Sequence, residues 1–292
     1  MSQTVGVIGL GNMGGGMAAT LRRAGFRVLG SDPSADCRER AAQVGVEICA
    51  SPAALCAGAD ILLLSLPNAQ VVEAVVAGAD GLLAHCRSGQ LLIDSSTSEP
   101  ATTRRLAARL AEVGVAMIDA PVSGGPKAAA SGSMGMLLGG EEADIARAAA
   151  LLDALAATRT HIGPAGAGHL AKIANNLLCA TQLIGNAEVL RMASAAGVDP
   201  HRLIAGINTS SGRSAVSEVN LPNWVLNDAF DSGFTMGLMR KDVRLAKSLA
   251  ESLGLELPLL ERVAALWAQS AESLADGEDF NRIVELISGD SQ

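Results

Sequence analysis

The chain has 292 residues, of which 49% are hydrophobic and only 2% aromatic, with no tyrosine and a net charge of −8. That length suits one large domain or two of medium size, and the apolar content is ample for a core of Ala, Val, Leu and Ile. An acidic chain without a basic run or a set of stacking aromatics argues against a nucleic-acid partner, and apolar runs broken by Gly, Pro or charge argue against a membrane span.

Residues 4–8, TVGVI, form a short β-branched run that predicts a strand. GLGNMGGGMAATLRRAG follows, in which Gly9, Gly11 and Gly14 fit GxGxxG at the junction of a strand and an amphipathic helix. Gly9 permits a tight turn, Gly11 lets backbone approach a pyrophosphate, and Gly14 lets helix and strand pack closely. The helix start then offers N–H groups to phosphate. The next strand, FRVLGSD, ends in Asp32. A carboxylate there accepts hydrogen bonds from ribose hydroxyls and repels a 2′-phosphate, which favours NAD over NADP. Its plainer reading is a turn or cap ahead of Pro33. Arg38 and Arg40 lie close enough to keep NADP as the alternative.

Apolar runs at 60–67, 90–97 and 114–123 predict further strands buried on both faces. Helices are predicted over 70–77 and over 100–113, where Pro100 suits a first helical turn. Alternating strands and helices imply a parallel, doubly wound sheet, whose ligands bind at the carboxyl ends of the strands. Leu66, Pro67, Ser96, Thr97 and Ser123 all fall at such ends. Ser123, Gly124 and Gly125 can present consecutive N–H groups and a hydroxyl, a concavity suited to a small carboxylate. Their plainer reading is a turn into a helix. A strand over 136–138 and a helix over about 142–157 follow. Residues 158–168, TRTHIGPAGAG, read as a connection.

Beyond it the pattern is helical, over 168–196, 200–209, 213–226, 235–253, 258–275 and 279–288. The first of these helices is long, apolar over most of its circumference and therefore expected to be buried. Its polar residues Lys172, Asn175, Asn176, Gln182 and Asn186 share about a third of the circumference. Burying an unpaired ammonium is costly, so Lys172 needs a purpose. The plain reading is a stripe facing a wet cleft; the sharper one is a catalytic lysine with an orienting amide, Asn176, one turn on. Lys241 and Asp242 sit within a helical pattern, where such a pair usually belongs to a solvated face. Cys37, Cys49, Cys56, Cys86 and Cys179 are odd in number and show no CxxC, which predicts reduced thiols in a cytoplasmic protein. The absence of a charged region ahead of the first apolar stretch argues against a secretory signal. His85, His161, His169 and His201 lack ligand spacing, so no metal is expected.

Four blocks carry a resemblance to the β-hydroxyacid dehydrogenase family, typified by 3-hydroxyisobutyrate dehydrogenase and tartronate semialdehyde reductase. They are GLGNMGGGMAATL (9–21), DAPVSGGPKAAASG (119–132), GHLAKIANN (168–176) and FTMGLMRKDVRLA (234–246). DSST (94–97) also resembles the family's loop on the nicotinamide side. The resemblance implies a Rossmann-type α/β domain over 1–164 and an all-helical domain over 165–292, joined by a long interdomain helix. It implies that Gly9, Leu10, Gly11, Asn12, Met13 and Gly14 form the NAD pyrophosphate turn, with Asp32 on the ribose. Leu66, Pro67, Ser96 and Thr97 would line the cofactor cleft, and Lys241 would reach the cofactor. Ser123, Gly124 and Gly125 would bind the substrate carboxylate, Lys172 would transfer the proton and Asn176 would hold the substrate. Homodimers or homotetramers are implied as well. The chain departs from the family pattern at Gly132-Ser133-Met134-Gly135-Met136 and at Pro126-Lys127, where Lys127 adds a cation near the carboxylate block.

The expected chemistry is reversible hydride transfer between NAD and a small 3-hydroxy acid, with burial drawing the Lys172 amine towards working pH. Serine, threonate or an imine are alternative substrates. A phosphogluconate-type decarboxylating enzyme would have a longer helical domain, and an imine reductase would lack the lysine. A non-catalytic cofactor-binding scaffold should have lost part of the set Ser123, Lys172 and Asn176.

Overall fold

The computed structural model describes residues 3–288. The chain divides into two compact units, Met1–Lys172 and Ile173–Gln292.

The first unit carries nine strands: β1 (Thr4–Ile8), β2 (Arg27–Ser31), β3 (Glu47–Ile48), β4 (Ile61–Leu64), β5 (Leu91–Asp94), β6 (Ala116–Asp119), β7 (Val122–Ser123), β8 (Met134–Gly139) and β9 (Ala156–Gly163). They form one sheet in the order β3-β2-β1-β4-β5-β6-β8-β7, with β9 paired to β8. β1 to β6 are mutually parallel, and the order reverses between β1 and β4. That reversal is where an open α/β sheet opens a crevice for ligand. Helices α1 (Asn12–Arg23), α2 (Ala35–Gln43), α3 (Pro52–Gly58), α4 (Ala69–Ala77), α5 (Pro100–Glu112), α6 (Gly125–Ser131), α7 (Glu142–Arg147) and α8 (Ala149–Leu155) cover it. Several starts follow from local chemistry: Ser34, Ser51 and Asn68 cap α2, α3 and α4 through their side chains, and Pro52 and Pro100 occupy first turns.

The apolar strands are buried on both faces because alternate residues feed opposite cores. Ile61 and Leu63 of β4 pack with Val5, Val7, Met17 and Leu21, whereas Leu62 and Leu64 pack with Leu55, Val72, Val76 and Leu106.

The sheet is parallel over β1–β6 but not throughout: β8 runs antiparallel to β6 and β7. Residues 158–163, expected as part of a connection, belong to β9, parallel to β8. Most of β9 is exposed, so it has backbone pairing but no apolar face, and no periodicity marks it. The helix expected over 142–157 is two short ones that break at Ala148 and end at Leu155.

A long helix, α9 (Ala167–Ala195), follows, and the division between the units falls within it, after Lys172. It is less covered than its composition implies: Leu170, Leu178 and Met192 are 43%, 59% and 70% exposed. The second unit continues with α10 (Pro200–Asn208), a segment of wide π-type turns at Val216–Val225 that contains Pro222, α11 (Met236–Ser252), α12 (Pro258–Gln269) and α13 (Ile283–Ser288). Its core gathers Leu183, Ile184, Val263, Trp267 and Phe280. Phe234 meets Phe280 edge-to-face at 5.2 Å, and the Trp267 indole N–H donates to the Ala180 carbonyl.

Candidate active site

The turn between β1 and α1 is shaped by close approach. Gly9 has φ +90°, and a Cβ on it would overlap the Ser65 carbonyl. A Cβ on Gly14 would overlap the Gly9 carbonyl, so the helix start and the ends of β1 and β4 touch backbone to backbone. Gly11 differs: a Cβ there would meet nothing within 4 Å. Gly11 is the N-cap of α1 and has no side chain to cap it, so the first-turn donors face outward from an open backbone. Asn12 is exposed and Met13 half-buried, whereas Leu10 is buried. The Leu10 N–H donates to Asp32 Oδ2 at 2.7 Å, and Asp32 Oδ1 accepts the Ser34 N–H at 2.8 Å. Asp32 thus braces the glycine turn and the turn after β2 while staying half-exposed. Arg38 donates to the carbonyls of Asp32 and Pro33, which places a guanidinium beside this acid.

At the next strand ends, Leu66 and Thr97 are half-buried and Pro67 is exposed, but Ser96 is 4% exposed. The Ser96 hydroxyl accepts the Leu66 N–H at 2.9 Å, which joins the loops after β4 and β5.

β7 ends at Ser123 and pairs with β8 through Ser123 and Gly135. Gly124 and Gly125 follow with φ of 113° and 66°, a left-handed pair that turns the chain into α6. Lys127 is exposed on that helix. Lys172, 7% exposed, donates from Nζ to Ser123 Oγ at 2.8 Å. The structure therefore brings the serine-glycine turn and the lysine of α9 together.

Within the second unit, Asn176 is 5% exposed and donates from Nδ2 to Asp242 Oδ2 at 2.6 Å. Its Oδ1 accepts from Asn175 at 3.0 Å. Asp242 is 2% exposed, so the pair does not follow the usual fate of a Lys–Asp pair on a solvated face. Lys241 Nζ stands 3.3 Å from Asp242 Oδ1. The apolar residues of α11 alternate helically around both, so sequence alone could not say which of the two pointed inwards.

Asp94, Asp119, His169 and Asp242 are among the buried polar residues to which the sequence assigned no role. A signal existed for two of them. LLID and AMID each end an apolar strand with an acid, and Asp94 and Asp119 are register partners on β5 and β6. Burial pushes the Asp94 carboxyl up, with His169 opposing. Asp94 Oδ2 has no hydrogen-bond partner among the described residues. Those residues also contain no group of three or more His, Cys, Asp or Glu side chains placed for a metal, and no helix long and apolar enough to cross a membrane.

Comparison with known proteins fits this arrangement. Residues 4–163 match the family model described as the NAD binding domain of 6-phosphogluconate dehydrogenase, and residues 166–287 match that described as the NAD-binding domain of NADP-dependent 3-hydroxyisobutyrate dehydrogenase. The 3-hydroxyisobutyrate dehydrogenase of Pseudomonas aeruginosa is 36% identical, with 98% of each chain covered. The L-threonate dehydrogenase of Cupriavidus necator is also 36% identical, covering 99% of this chain and 97% of its own. The solved structure of Mycobacterium tuberculosis 3-hydroxyisobutyrate dehydrogenase with L-serine superposes with a TM-score of 0.92 at 35% identity, covering 98% of this chain and 99% of that one. The glycine turn at the sheet's reversal, the lysine on the long helix and these full-length matches have one reading: the chain belongs to the β-hydroxyacid dehydrogenase family of NAD(P)-dependent oxidoreductases.

Proposed function

We propose that the chain reversibly oxidises a small 3-hydroxy acid to its semialdehyde or keto acid, with Lys172 as the proton-transfer residue. One observation carries this reading: the nearly buried Lys172 amine bonds Ser123 Oγ at 2.8 Å, beside two left-handed glycines. A buried amine next to an anion-binding turn is the pair a hydroxy acid needs, one group for the hydroxyl proton and one for the carboxylate.

The residues present fit a dinucleotide. The open Gly11 backbone at an N-terminus without a side-chain cap suits a pyrophosphate, and half-exposed Asp32 suits ribose hydroxyls. Gly9, Leu10, Gly11, Asn12, Met13 and Gly14 would hold the pyrophosphate, with Leu66, Pro67, Ser96, Thr97 and Lys241 as further cofactor contacts. The acid at Asp32 supports NAD over NADP. When bound, the nicotinamide supplies the hydride acceptor or donor.

Ser123, Gly124 and Gly125 anchor the substrate carboxylate and so set the distance and face presented for reaction. Lys172 takes the hydroxyl proton in oxidation and returns it to the carbonyl oxygen in reduction. Asn176, one helical turn away and held by Asp242, steadies the reacting oxygen or a neighbouring hydroxyl. The catalytic domains are proposed to divide at 164/165, a reading supported by the limits of the two matched family models. Five cysteines standing as thiols support a reducing, cytoplasmic setting. Exposed Leu178, Met192, Leu253, Leu255 and Leu259 support a homodimer or homotetramer, to be read by light scattering at the eluting mass.

The test of function is turnover of 3-hydroxyisobutyrate, glycerate, serine and L-threonate with NAD and with NADP, followed by absorbance of the reduced cofactor. Reduction of NAD by at least one of them, more efficiently than of NADP, is expected. Silence across the panel in both directions would remove the reading.

A further inference from the structure

Asp94, Asp119 and His169 have no exposed surface, and the chemistry above uses none of them. They sit at the carboxyl ends of β5 and β6 and on the first turn of α9. Asp119 accepts the backbone N–H groups of Gly166 and His169, at 2.7 Å each. An acid 50 residues upstream of His169 thus caps the helix that carries Lys172. Added Cβ atoms at Gly139 and Gly168 would collide with its carboxylate, so this stretch of backbone is bare where the cap fits.

The His169 ring makes the wider connection. Its Nε2 is 2.9 Å from the Ser96 carbonyl, which can only accept, so Nε2 carries the hydrogen. Its Nδ1 is 2.7 Å from the Thr103 hydroxyl, within hydrogen-bond distance. Ser96 accepts the Leu66 N–H on its hydroxyl and donates its own N–H to Asp94 Oδ1. One ring therefore joins the loops after β4 and β5, the helix α5 and the first turn of α9. Lys172 lies one helical turn beyond it, on Ser123 Oγ. A histidine with two carboxylates 3.9 Å and 3.8 Å from its ring nitrogens is an expensive way to fill a core, and an apolar side chain would fill it more simply. Asp94 Oδ2, left without a hydrogen-bond partner among the described residues, is part of that cost.

We propose that His169 is a positioning residue: it fixes the Lys172 turn of α9 against the Leu66 and Ser96 loops, so that the amine keeps one setting relative to the cofactor wall. This rests on the reading of Lys172 as the proton-transfer residue. Coupled proton and hydride transfer is sensitive to distance, and a displacement of about 1 Å lowers rates about 100-fold.

The experiment uses the full-length enzyme, its best substrate from the panel, and four variants: His169→Leu, His169→Gln, Thr103→Val and Lys172→Ala. His169→Leu should lower kcat by about 10- to 100-fold while both KM values stay within about threefold. The primary deuterium isotope effect on kcat should rise towards its full value as hydride transfer becomes limiting. His169→Gln, whose amide can still donate to the Ser96 carbonyl, should recover about tenfold of the loss. A rescue of this kind is not expected if the ring is only filler, because Leu fills the core without burying a polar group. Should His169→Leu fail to fold, Thr103→Val keeps the ring and removes its Nδ1 partner, together with the longer bond of that hydroxyl to the Glu99 carbonyl, and should lower kcat several-fold at unchanged KM. Wild-type kcat in a folded His169→Leu, or in Thr103→Val, overturns the proposal. So does a loss in Leu and Gln that merely follows Tm, or one confined to KM. Lys172→Ala separates the two readings: if it stays active, both fall; if it is inactive while His169→Leu turns over normally, only the positioning role falls.

Discussion

Two helices start in the first unit beside the carboxyl ends of parallel strands, and they begin in opposite ways. α1 starts at Gly11, with no capping side chain and an open backbone. α9 starts with its first N–H groups held by the buried Asp119 carboxylate. Every helix start has donors without partners in the helix, and a protein either satisfies them itself or leaves them to a ligand. The contrast is between an open start and a filled one: under the function proposed above, the α1 start takes an anion, and the α9 start, already satisfied, holds the lysine one turn inside it.

Four substitutions test these starts and the buried acids beside them. Lys172→Ala removes what the filled start carries and should lower turnover about 10²- to 10⁴-fold, with cofactor affinity retained by calorimetry. Parallel loss of cofactor binding would argue that Lys172 serves the α1 side instead. Gly14→Ala acts on the open start. Its new methyl overlaps the Gly9 carbonyl, and overpacking of about 1–3 kcal/mol should raise the NAD Kd about 10- to 100-fold. An unchanged Kd at wild-type Tm would show that the turn need not be this close. Asp119→Ala uncaps α9 and leaves two buried N–H groups unsatisfied, at about 1–3 kcal/mol. Thermal unfolding should fall by several degrees while NAD binding at the other start is spared.

The smallest effect concerns Asp94. Burial raises its carboxyl, so the folded protein keeps this proton at pH values where the unfolded chain has released it. The resulting stabilisation is complete below about pH 4 and disappears as pH rises through the raised value. Asp94→Asn cannot ionise and keeps the acceptor for the Ser96 N–H. Its Tm should exceed that of wild type by about 2–4 °C near neutrality, and the gain should vanish towards pH 4. A gain that grows on acidification would reverse the sign assigned to this acid.

Much of the fold was legible because its signals are local. TVGVI, LLID and the helix after Pro100 are found at Thr4–Ile8, Leu91–Asp94 and Pro100–Glu112, since continuous apolar runs and a first-turn proline state their structure directly. β3 and β9 were not legible: one is two exposed residues and the other mostly exposed and polar, so both depend on a neighbouring strand rather than on their own pattern. The direction of β8 was hidden for another reason: its largely buried residues record burial, not which strand it pairs with or which way it runs. Exposure of Leu178 and Met192 on α9 was missed because composition describes what a helix can bury, not what is there to cover it.

From residues alone follow the glycine turn, the alternation of the main apolar strands with helices and the length of the helix that carries Lys172, because each depends on neighbours a few positions apart. Only the folded chain decides that Ser123 meets Lys172, that Asp119 caps a helix 50 residues on, and that His169 ties it to Ser96. Those contacts join segments far apart in the chain, and a polar side chain finds its partner only after the sheet has brought the strand ends side by side.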